Sequence, residues 1–264
     1  MNFPQRPLRS SSRDQLAQAP LADVINPRPL HRRETVFSGH IFDLLRDEFS
    51  LEPGGDPMSR DFMRHPGAVA IAAVNDRHEL LMINQHRHPL DTDFWEIPAG
   101  LLDQEGESPL QAAQRELLEE TDLQADTWHT LMEFDNSPGC STEANRIYLA
   151  RDLSPVPESE RIPREAEEAE IIRRWVPLEE AVTAVLESRL HSPASNHAIL
   201  AVWAGLQRGF RDLQDPEAPW PAHPRFRGSG GSSNSSQPSG LSGSQDSAGP
   251  ADEGEQSVVE PGRL

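Results

Sequence analysis

The spacing of apolar and polar residues divides the middle of the chain into short strands and helices. Two apolar stretches, Ala68–Val74 and Glu79–Asn84, flank an Asn-Asp turn and predict two buried strands. Residues 34–51 alternate well enough to predict two more strands around a Ser-Gly turn. The same patterns predict further strands at Thr127–Phe134, Arg146–Ala150 and Ile171–Val176. They predict two amphipathic helices, at Leu178–Leu190 and Ser195–Gln207. Strands and helices mixed in this order indicate an α/β fold with a mixed sheet and helices on both faces.

The strongest helix signal lies between these strands. Ser108 is a good N-cap residue, and Pro109 suits the first helical position. Gln111 stands where a capping box needs a Glu or Gln that reaches back to the cap. Most residues from Leu110 to Thr121 favour helices. The pattern therefore predicts a helix with a well-defined first turn.

Three carboxylates share one surface of this predicted helix. Glu116 and Glu119 are three residues apart, and Glu116 and Glu120 are four apart. Each like-charged pair at such spacing destabilises an isolated helix by roughly 0.2–0.5 kcal/mol, so the cluster would gain from a cation. Oxygen ligands suit hard ions such as Mg²⁺ or Mn²⁺. A run of glutamates more commonly marks a solvated helix face, which is the alternative for these residues taken alone.

Two further charged residues could organise the carboxylates. Arg115 lies four residues before Glu119 and can hold that side chain in place. Glu107, next to the predicted N-cap, adds a fourth acid near the positive end of the helix dipole.

Composition limits the kinds of protein that this chain can be. Its 264 residues carry a formal net charge of −19, and 36% are hydrophobic, which is enough for one domain of ordinary size. The acidic balance argues against nonspecific binding to nucleic acids or to anionic membranes. A negatively charged substrate would need local positive charge, which arginine must supply because the chain contains no lysine.

Cysteine usage and hydropathy bear on location. Cys140 is the single cysteine, so an intrachain disulfide is impossible, and a reducing compartment is expected. No apolar run is long enough to span a bilayer, and the first residues do not resemble a secretory signal. The sequence therefore predicts a cytoplasmic protein.

The acidic helix belongs to a longer pattern, which resembles the Nudix box of hydrolases that cleave nucleoside diphosphates linked to another group. The residues that carry this resemblance are Gly100, Glu107, Arg115, Glu116, Glu119, Glu120 and Leu123. The spacer from Gly100 to Glu107 is one residue longer than usual, and Asp122 stands where a glycine is expected. Loops tolerate insertions, and Asp can adopt a left-handed backbone at small cost, so neither departure removes a ligand.

The resemblance extends from Ser38 to about Leu206 and is closest to the ADP-ribose pyrophosphatase branch of the Nudix hydrolases. The segments that carry it are SGHIFDLLRDEF, HPGAVAIAAV, INQHRHP, WEIPAGLLD, SPGCSTE and RRWVPLEEA. Pro138, fifteen residues after Leu123, matches a proline of this branch. The resemblance implies an α/β/α sandwich and a homodimer in which the N-terminal strands are exchanged between the two chains.

A division of the chain follows from composition and this resemblance. We expect a flexible N-terminal segment at 1–33, dimerisation strands at 34–58 and the Nudix hydrolase domain at 59–212. The remainder, 213–264, is expected to be a proline-containing segment followed by a Gly/Ser-rich acidic disordered tail.

The resemblance also assigns roles to individual residues. Metal ions would be held by the main-chain carbonyl of Ala99 and the carboxylates of Glu116, Glu119 and Glu120, with Glu116 and Glu120 essential for catalysis. Gly100, Glu107 and Arg115 would support this site. The diphosphate would be bound by Arg87 and Arg60, because a guanidinium fork suits phosphate oxygens. For Arg87, a surface ion pair is the alternative, and the assignment of Arg60 depends on loop lengths.

The general base remains open among several residues. In this branch, a glutamate on the loop before the last strand activates the attacking water, and this loop contains Glu165, Glu167, Glu168 and Glu170. Counting back from Trp175 favours Glu167, with Glu168 next.

The expected function is Mg²⁺-dependent hydrolysis of ADP-ribose to AMP and ribose 5-phosphate, with Mn²⁺ as a possible substitute. A pyrophosphatase for another nucleotide sugar, such as ADP-glucose or GDP-mannose, is the nearer alternative, since one scaffold can serve several substrates. A nucleotide-sensing domain without catalysis is the more distant one. The expected partners are the small-molecule substrate and a second copy of the chain, with neither nucleic acid nor membrane.

Overall fold

The computed structural model describes residues 20–162, 164 and 170–227. The strands are β1 Leu30–Ser38, β2 Asp43–Phe49, β3 Met58–Arg64, β4 Ala68–Ala73, β5 Glu79–Arg87, β6 Thr92–Glu96, β7 Ala99–Leu101, β8 Leu123–Asp135, β9 Ala144–Pro155 and β10 Ile172–Pro177. The helices are α1 Pro109–Thr121, α2 Leu178–Leu186 and α3 Pro193–Gln207. Short 3₁₀ turns occur at His88–Leu90 and Glu158–Glu160.

The strands form three sheets. The central sheet has the order β7-β4-β9-β8, in which β4 and β9 are parallel and the other neighbours are antiparallel. A second sheet, β10-β5-β6, and an N-terminal sheet, β1-β2-β3, are antiparallel throughout. The prediction of a mixed sheet is therefore confirmed.

Strand β4 explains why helices cover both faces of the central sheet. Its sequence, AVAIAA, is apolar at every position, so both faces of the strand must be buried. Val69 and Ile71 pack in a core that includes Leu117 of α1. Ala70 and Ala72 point the other way, into a core that contains Ile199 and Val202 of α3. This arrangement is the expected α/β/α sandwich.

The N-terminal sheet differs in detail from the sequence prediction. Strand β1 begins at Leu30, so residues 30–33 of the predicted flexible segment 1–33 belong to a strand. Every residue of β1 is exposed, and without a buried face the strand has no apolar alternation that would mark its start. The missed strand β3, MSRDFMR, has the same cause, because its charged residues lie on exposed positions.

A second difference concerns the segment after α3. Residues 213–227, which the sequence assigns to the start of a tail, lie against the central sheet and are called the C-terminal strap below. Trp220 is 3% exposed and His223 is 2% exposed. The guanidinium of Arg146, on β9, stacks over the Trp220 ring at 4.7 Å and donates a hydrogen bond to the Ala218 carbonyl at 2.9 Å. The sequence does not indicate these contacts, because single aromatic residues between prolines have no helix or strand period.

The strap also contacts two loops, one before β4 and one after β7. The His223 ring donates from Nε2 to the Pro66 carbonyl at 2.9 Å, and the Arg225 side chain donates to the Leu102 carbonyl at 3.0 Å. A side chain at Gly67 would collide with the His223 ring, at 2.2 Å from its Nε2 atom. Gly67 also has a φ of +91°, so both the space and the backbone conformation require glycine at this position. Among the helices that the structure describes, none is both long enough and apolar enough to cross a membrane.

Candidate active site

Helix α1 is fixed at both ends as its sequence predicts. The Ser108 hydroxyl accepts a hydrogen bond from the Gln111 amide at 3.2 Å, and the Gln111 side chain accepts one from the Ser108 amide at 2.9 Å. This is the predicted capping box. At the other end, Asp122 has a φ of 57°, which confirms the left-handed backbone expected there. The side chains on α1 therefore have a defined position relative to the sheet.

The middle and last turns of α1 lie beside strand β7, and this brings the acidic residues to the Ala99–Gly100 segment. Glu116 and Glu120 are buried, at 8% and 5% exposure, whereas Glu119 is partly exposed. The Ala99 amide donates to Glu120 Oε2 at 3.0 Å. A Cβ atom at Gly100 would lie only 1.9 Å from Glu116 Oε1, so a side chain here would displace that carboxylate.

One arginine connects the carboxylates. Arg115 donates two hydrogen bonds to Glu107, at 2.9 and 3.0 Å, in the forked geometry that guanidinium and carboxylate groups favour. Its Nη1 atom donates to Glu116 at 2.6 Å and to Glu119 at 3.1 Å. The hydrogen bonds that Arg115 donates to Glu107 are the main reason that the pKa of Arg115 is raised above its usual value. Arg115 thus holds Glu107, Glu116 and Glu119 as one group.

Arg87 opens onto the same part of the molecule. A cavity of about 390 Å³ is lined by Arg87 together with Ala99 and Gly100. Within it, Arg87 donates to Glu96 Oε2 from Nε at 3.0 Å and from Nη2 at 2.5 Å, and the Gln85 side chain donates to the same oxygen at 2.9 Å. The structure therefore places the predicted phosphate-binding arginine beside the predicted metal-binding loop, with its guanidinium directed by Glu96.

Arg60 lies elsewhere in the same chain. It is exposed on β3 and donates to the Ser59 carbonyl at 2.7 Å. The cavity that it lines, of about 580 Å³, also contains Pro138 and Cys140 and is separate from the one beside Arg87. Within one chain, the structure does not bring Arg60 and Arg87 together.

The general base is predicted to be one of four glutamates on the loop before β10. Glu165, Glu167 and Glu168 lie outside the described residues. Glu170 is described and is exposed, just before β10. The choice of Glu167 therefore stays a prediction.

Sequence reasoning missed a set of contacts at the end of α1. The Asp122 carboxylate meets Arg173 Nη1 at 2.7 Å and Arg164 Nη2 at 2.8 Å. Burial alone would raise the pKa of Asp122, but the two arginines outweigh it and hold the pKa below its usual value. The only sequence signal for these contacts is the departure itself, an acid where a glycine is expected.

Comparisons with known proteins show which family the chain resembles. The model of the NUDIX domain family matches residues 63–196, about half of the chain. An ADP-ribose pyrophosphatase of Mycobacterium tuberculosis is 40% identical over 189 residues, which cover 71% of this chain and 88% of the relative. One of Bacillus subtilis is 37% identical over 168 residues, which cover 63% of this chain and 88% of the relative.

A solved structure gives the same architecture. The crystal structure of an ADP compounds hydrolase superimposes with a TM-score of 0.58 at 22% identity, covering 72% of this chain and all of the other. At that identity the likeness concerns the fold alone. The matched NUDIX model and the identity to the relatives together show that the chain belongs to the NUDIX family of hydrolases.

Proposed function

We propose that this chain hydrolyses the diphosphate of ADP-ribose and releases AMP and ribose 5-phosphate. The observation that carries the proposal is the meeting of the α1 carboxylates with the Ala99–Gly100 segment, on a cavity that also holds Arg87. Two relatives named as ADP-ribose pyrophosphatases, each matched over 88% of its length, support this choice among nucleotide sugars.

A divalent cation fits the residues of this site. Members of the family generally use divalent metal ions, and we propose Mg²⁺, with Mn²⁺ as a substitute. In the described part of the chain, no three His, Cys, Asp or Glu side chains are already arranged as a metal site. The donors nevertheless suit a hard ion, because Glu116, Glu119 and Glu120 offer only oxygen and Gly100 has no side chain to fill the space beside Glu116. The Ala99 carbonyl would be the fourth donor.

Individual residues of the chain would then have separate roles in the reaction. Arg87, held in direction by Glu96, would bind the diphosphate oxygens and orient them. Arg115 keeps the neighbouring carboxylates in place during the reaction. When bound, the cation supplies neutralisation of phosphate charge and makes a nearby water more acidic. Glu167 would accept a proton from the attacking water, whose oxygen bonds to one phosphorus while the bridging P–O bond breaks.

We also propose a homodimer built through the N-terminal strands 34–58. Its support is an exposed apolar set on and after β1, in which Val36 is 44% exposed, Phe37 58% and Ile41 55%. Such a dimer would allow Arg60 of one chain to serve the cavity of the other. Light scattering of the wild type and of Phe37→Asp tests this, because the variant should have half the wild-type mass. A wild type with the mass of one chain would remove the dimer from the proposal, and two equal dimer masses would remove Phe37 from its interface.

Release of AMP tests the function itself. The full chain is incubated with ADP-ribose, ADP-glucose or GDP-mannose, each with Mg²⁺, with Mn²⁺ and with EDTA. We expect fastest turnover of ADP-ribose with Mg²⁺ and none with EDTA. Faster cleavage of another nucleotide sugar would change the substrate, and tight binding of ADP-ribose without turnover would indicate a nucleotide sensor instead of an enzyme.

A further inference from the structure

Asp122 occupies a place where nothing in the proposed chemistry requires an acid. It ends helix α1 directly after Glu119, Glu120 and Thr121, in a left-handed conformation that glycine would adopt with less strain. Its side chain is only 11% exposed. A buried acid at the negative end of a helix dipole is unfavourable unless cations compensate it.

Two arginines supply that compensation, and they come from two separate places in the chain. Arg173, on β10, donates to the Asp122 carboxylate at 2.7 Å and to the Thr121 carbonyl at 2.5 Å. Arg164 approaches the same carboxylate oxygen at 2.8 Å. The Asp122 carbonyl also accepts a hydrogen bond from the Val156 amide at 2.9 Å, which ties the start of this connection to the same turn.

The positions of the two arginines along the sequence give these contacts a role. Arg164 and Arg173 stand on either side of residues 165–169, which contain the candidate bases Glu165, Glu167 and Glu168. These glutamates carry the same charge as the carboxylates of α1, so electrostatic repulsion opposes their approach to the site. Both described residues that flank this stretch, Arg164 and Arg173, contact the last turn of α1, and their positive charge opposes the repulsion.

We propose that Asp122 is a positioning residue for the hydrolysis, which ties the chain on both sides of the candidate bases to the end of the metal-binding helix. This inference rests on the proposed function. Asp122 itself makes no contact with substrate and serves only through Arg164 and Arg173. Its loss should therefore lower kcat more than it changes KM, since Arg87 and the α1 carboxylates are left in place.

The left-handed backbone of Asp122 makes a clean experiment possible. Asp122→Gly removes the carboxylate without backbone strain, and Asp122→Asn keeps a hydrogen-bond acceptor without the charge. Asp152 offers a matched control, because it is an exposed aspartate on β9 with a φ of 55°, and its carboxylate accepts a hydrogen bond from the Thr127 hydroxyl. Asp152→Gly makes the same chemical change in a similar conformation.

We expect kcat to fall in the order wild type, Asn, Gly, with a loss of about 10–100-fold for Asp122→Gly and a KM within about twofold of wild type. The melting temperature of Asp122→Gly should stay within about 2 °C of the wild type, because relief of the left-handed backbone offsets the loss of the two ion pairs, whereas a large fall would indicate a merely structural role. Arg173→Gln should add little to Asp122→Gly, because both remove the same contact. Asp152→Gly should keep wild-type kcat.

Hydrogen exchange of the free full-length protein provides a second readout that does not depend on turnover. In Asp122→Gly, peptides that cover residues 160–175 should exchange faster, whereas peptides within 109–118 of α1 should not change. Unchanged exchange at 160–175 would show that Asp122 does not hold the chain on either side of the candidate bases. Faster exchange with wild-type kcat would overturn the positioning role.

The kinetic and exchange measurements together distinguish a failure of this inference from a failure of the proposed function. If the wild type released no AMP from ADP-ribose, the proposed function would fail. The kcat comparison would then be made on whichever nucleotide sugar is turned over. The exchange result would still decide whether Asp122 holds the two ends of the segment.

Discussion

Two arginine networks, one on helix α1 and one on strand β9 of the central sheet, differ in their balance of charge. On α1, Arg115 contacts three carboxylates, those of Glu107, Glu116 and Glu119, so negative charge is in excess. Under the C-terminal strap, Arg146 contacts one carboxylate, that of Glu133 at 2.5 Å, and otherwise meets two main-chain carbonyls and the Trp220 ring. Charge is balanced there.

The difference distinguishes a network suited to binding a cation from a network that stabilises the fold. An excess of close carboxylates is unfavourable for folding and favourable for a cation that binds only when the site is formed. A balanced and hydrogen-bonded arginine beside a buried indole stabilises the fold but has nothing left to offer a ligand. Substitutions in the two networks should therefore give opposite phenotypes.

The largest effect is expected from Glu120→Gln. The amide oxygen can still accept the hydrogen bond from the Ala99 amide, so folding should be retained, but the charge that would bind the cation is lost. AMP release from ADP-ribose should fall by a factor on the order of 10³, in line with the loss of electrostatic stabilisation at a reacting phosphate. The melting temperature should stay close to that of the wild type, by calorimetry.

Glu105→Gln is the matched control for that variant. Glu105 is exposed in the loop before α1, so the same loss of charge should leave turnover unchanged. Wild-type turnover in Glu120→Gln would remove α1 from the chemistry.

Trp220→Ala is the corresponding test of the strap. It removes a fully buried indole and its stacking with Arg146, and the free energy of unfolding should fall by about 3–5 kcal/mol. Urea denaturation measures this loss, and turnover at a temperature where the variant is folded should remain within about threefold of wild type. Trp203→Ala, at 37% exposure on α3, is the control and should cost less. Equal losses would show that the strap adds no particular stability.

His223 should make the strap sensitive to acid. Burial lowers the pKa of His223 in the folded state, and the unfolded chain therefore binds the proton more readily between that pKa and the ordinary value near 6.5. The free energy of unfolding should thus fall as the pH drops below about 6.5, by less than the loss in Trp220→Ala. Denaturation curves at pH 7.5 and 5.5 for wild type and His223→Gln measure the contribution.

The variant should show a smaller fall in stability than the wild type over that range. His191→Gln, at an exposed position, should show the wild-type fall. A larger fall in His223→Gln than in the wild type would contradict the neutral, buried histidine.

How far the sequence could predict the molecule depends on the kind of signal each region carries. Helix α1 was placed to the residue, because its cap and its left-handed end depend on neighbouring side chains. The core strand β4 was found because burial on both faces leaves an uninterrupted apolar run. Strand β7, only three residues long, was missed because three residues have no measurable period.

The candidate site shows the same limit. Glu116, Glu120 and the Ala99–Gly100 segment were expected together, and they lie together. The pairing of Asp122 with Arg164 and Arg173 was missed, since the three positions are far apart in sequence and only the fold brings them together. Long-range ion pairs leave no local pattern that could be read in advance.

The smallest effect is expected from truncation of the chain directly after the strap. The sequence predicts a flexible tail from about residue 228, and residues 228–264 lie outside the described part of the chain. The contacts of the strap described above are complete by Arg227, which donates to the Ala222 carbonyl. A chain that ends at Arg227 should therefore melt within about 2 °C of the full chain and keep its turnover, because a Gly/Ser-rich acidic segment buries little apolar surface. A chain that ends at Asp212 loses Trp220 as well and should melt far lower. If both truncations melted at the same lowered temperature, the stabilising segment would extend beyond Arg227, and the balance of charge around Arg146 would not be what holds the strap in place.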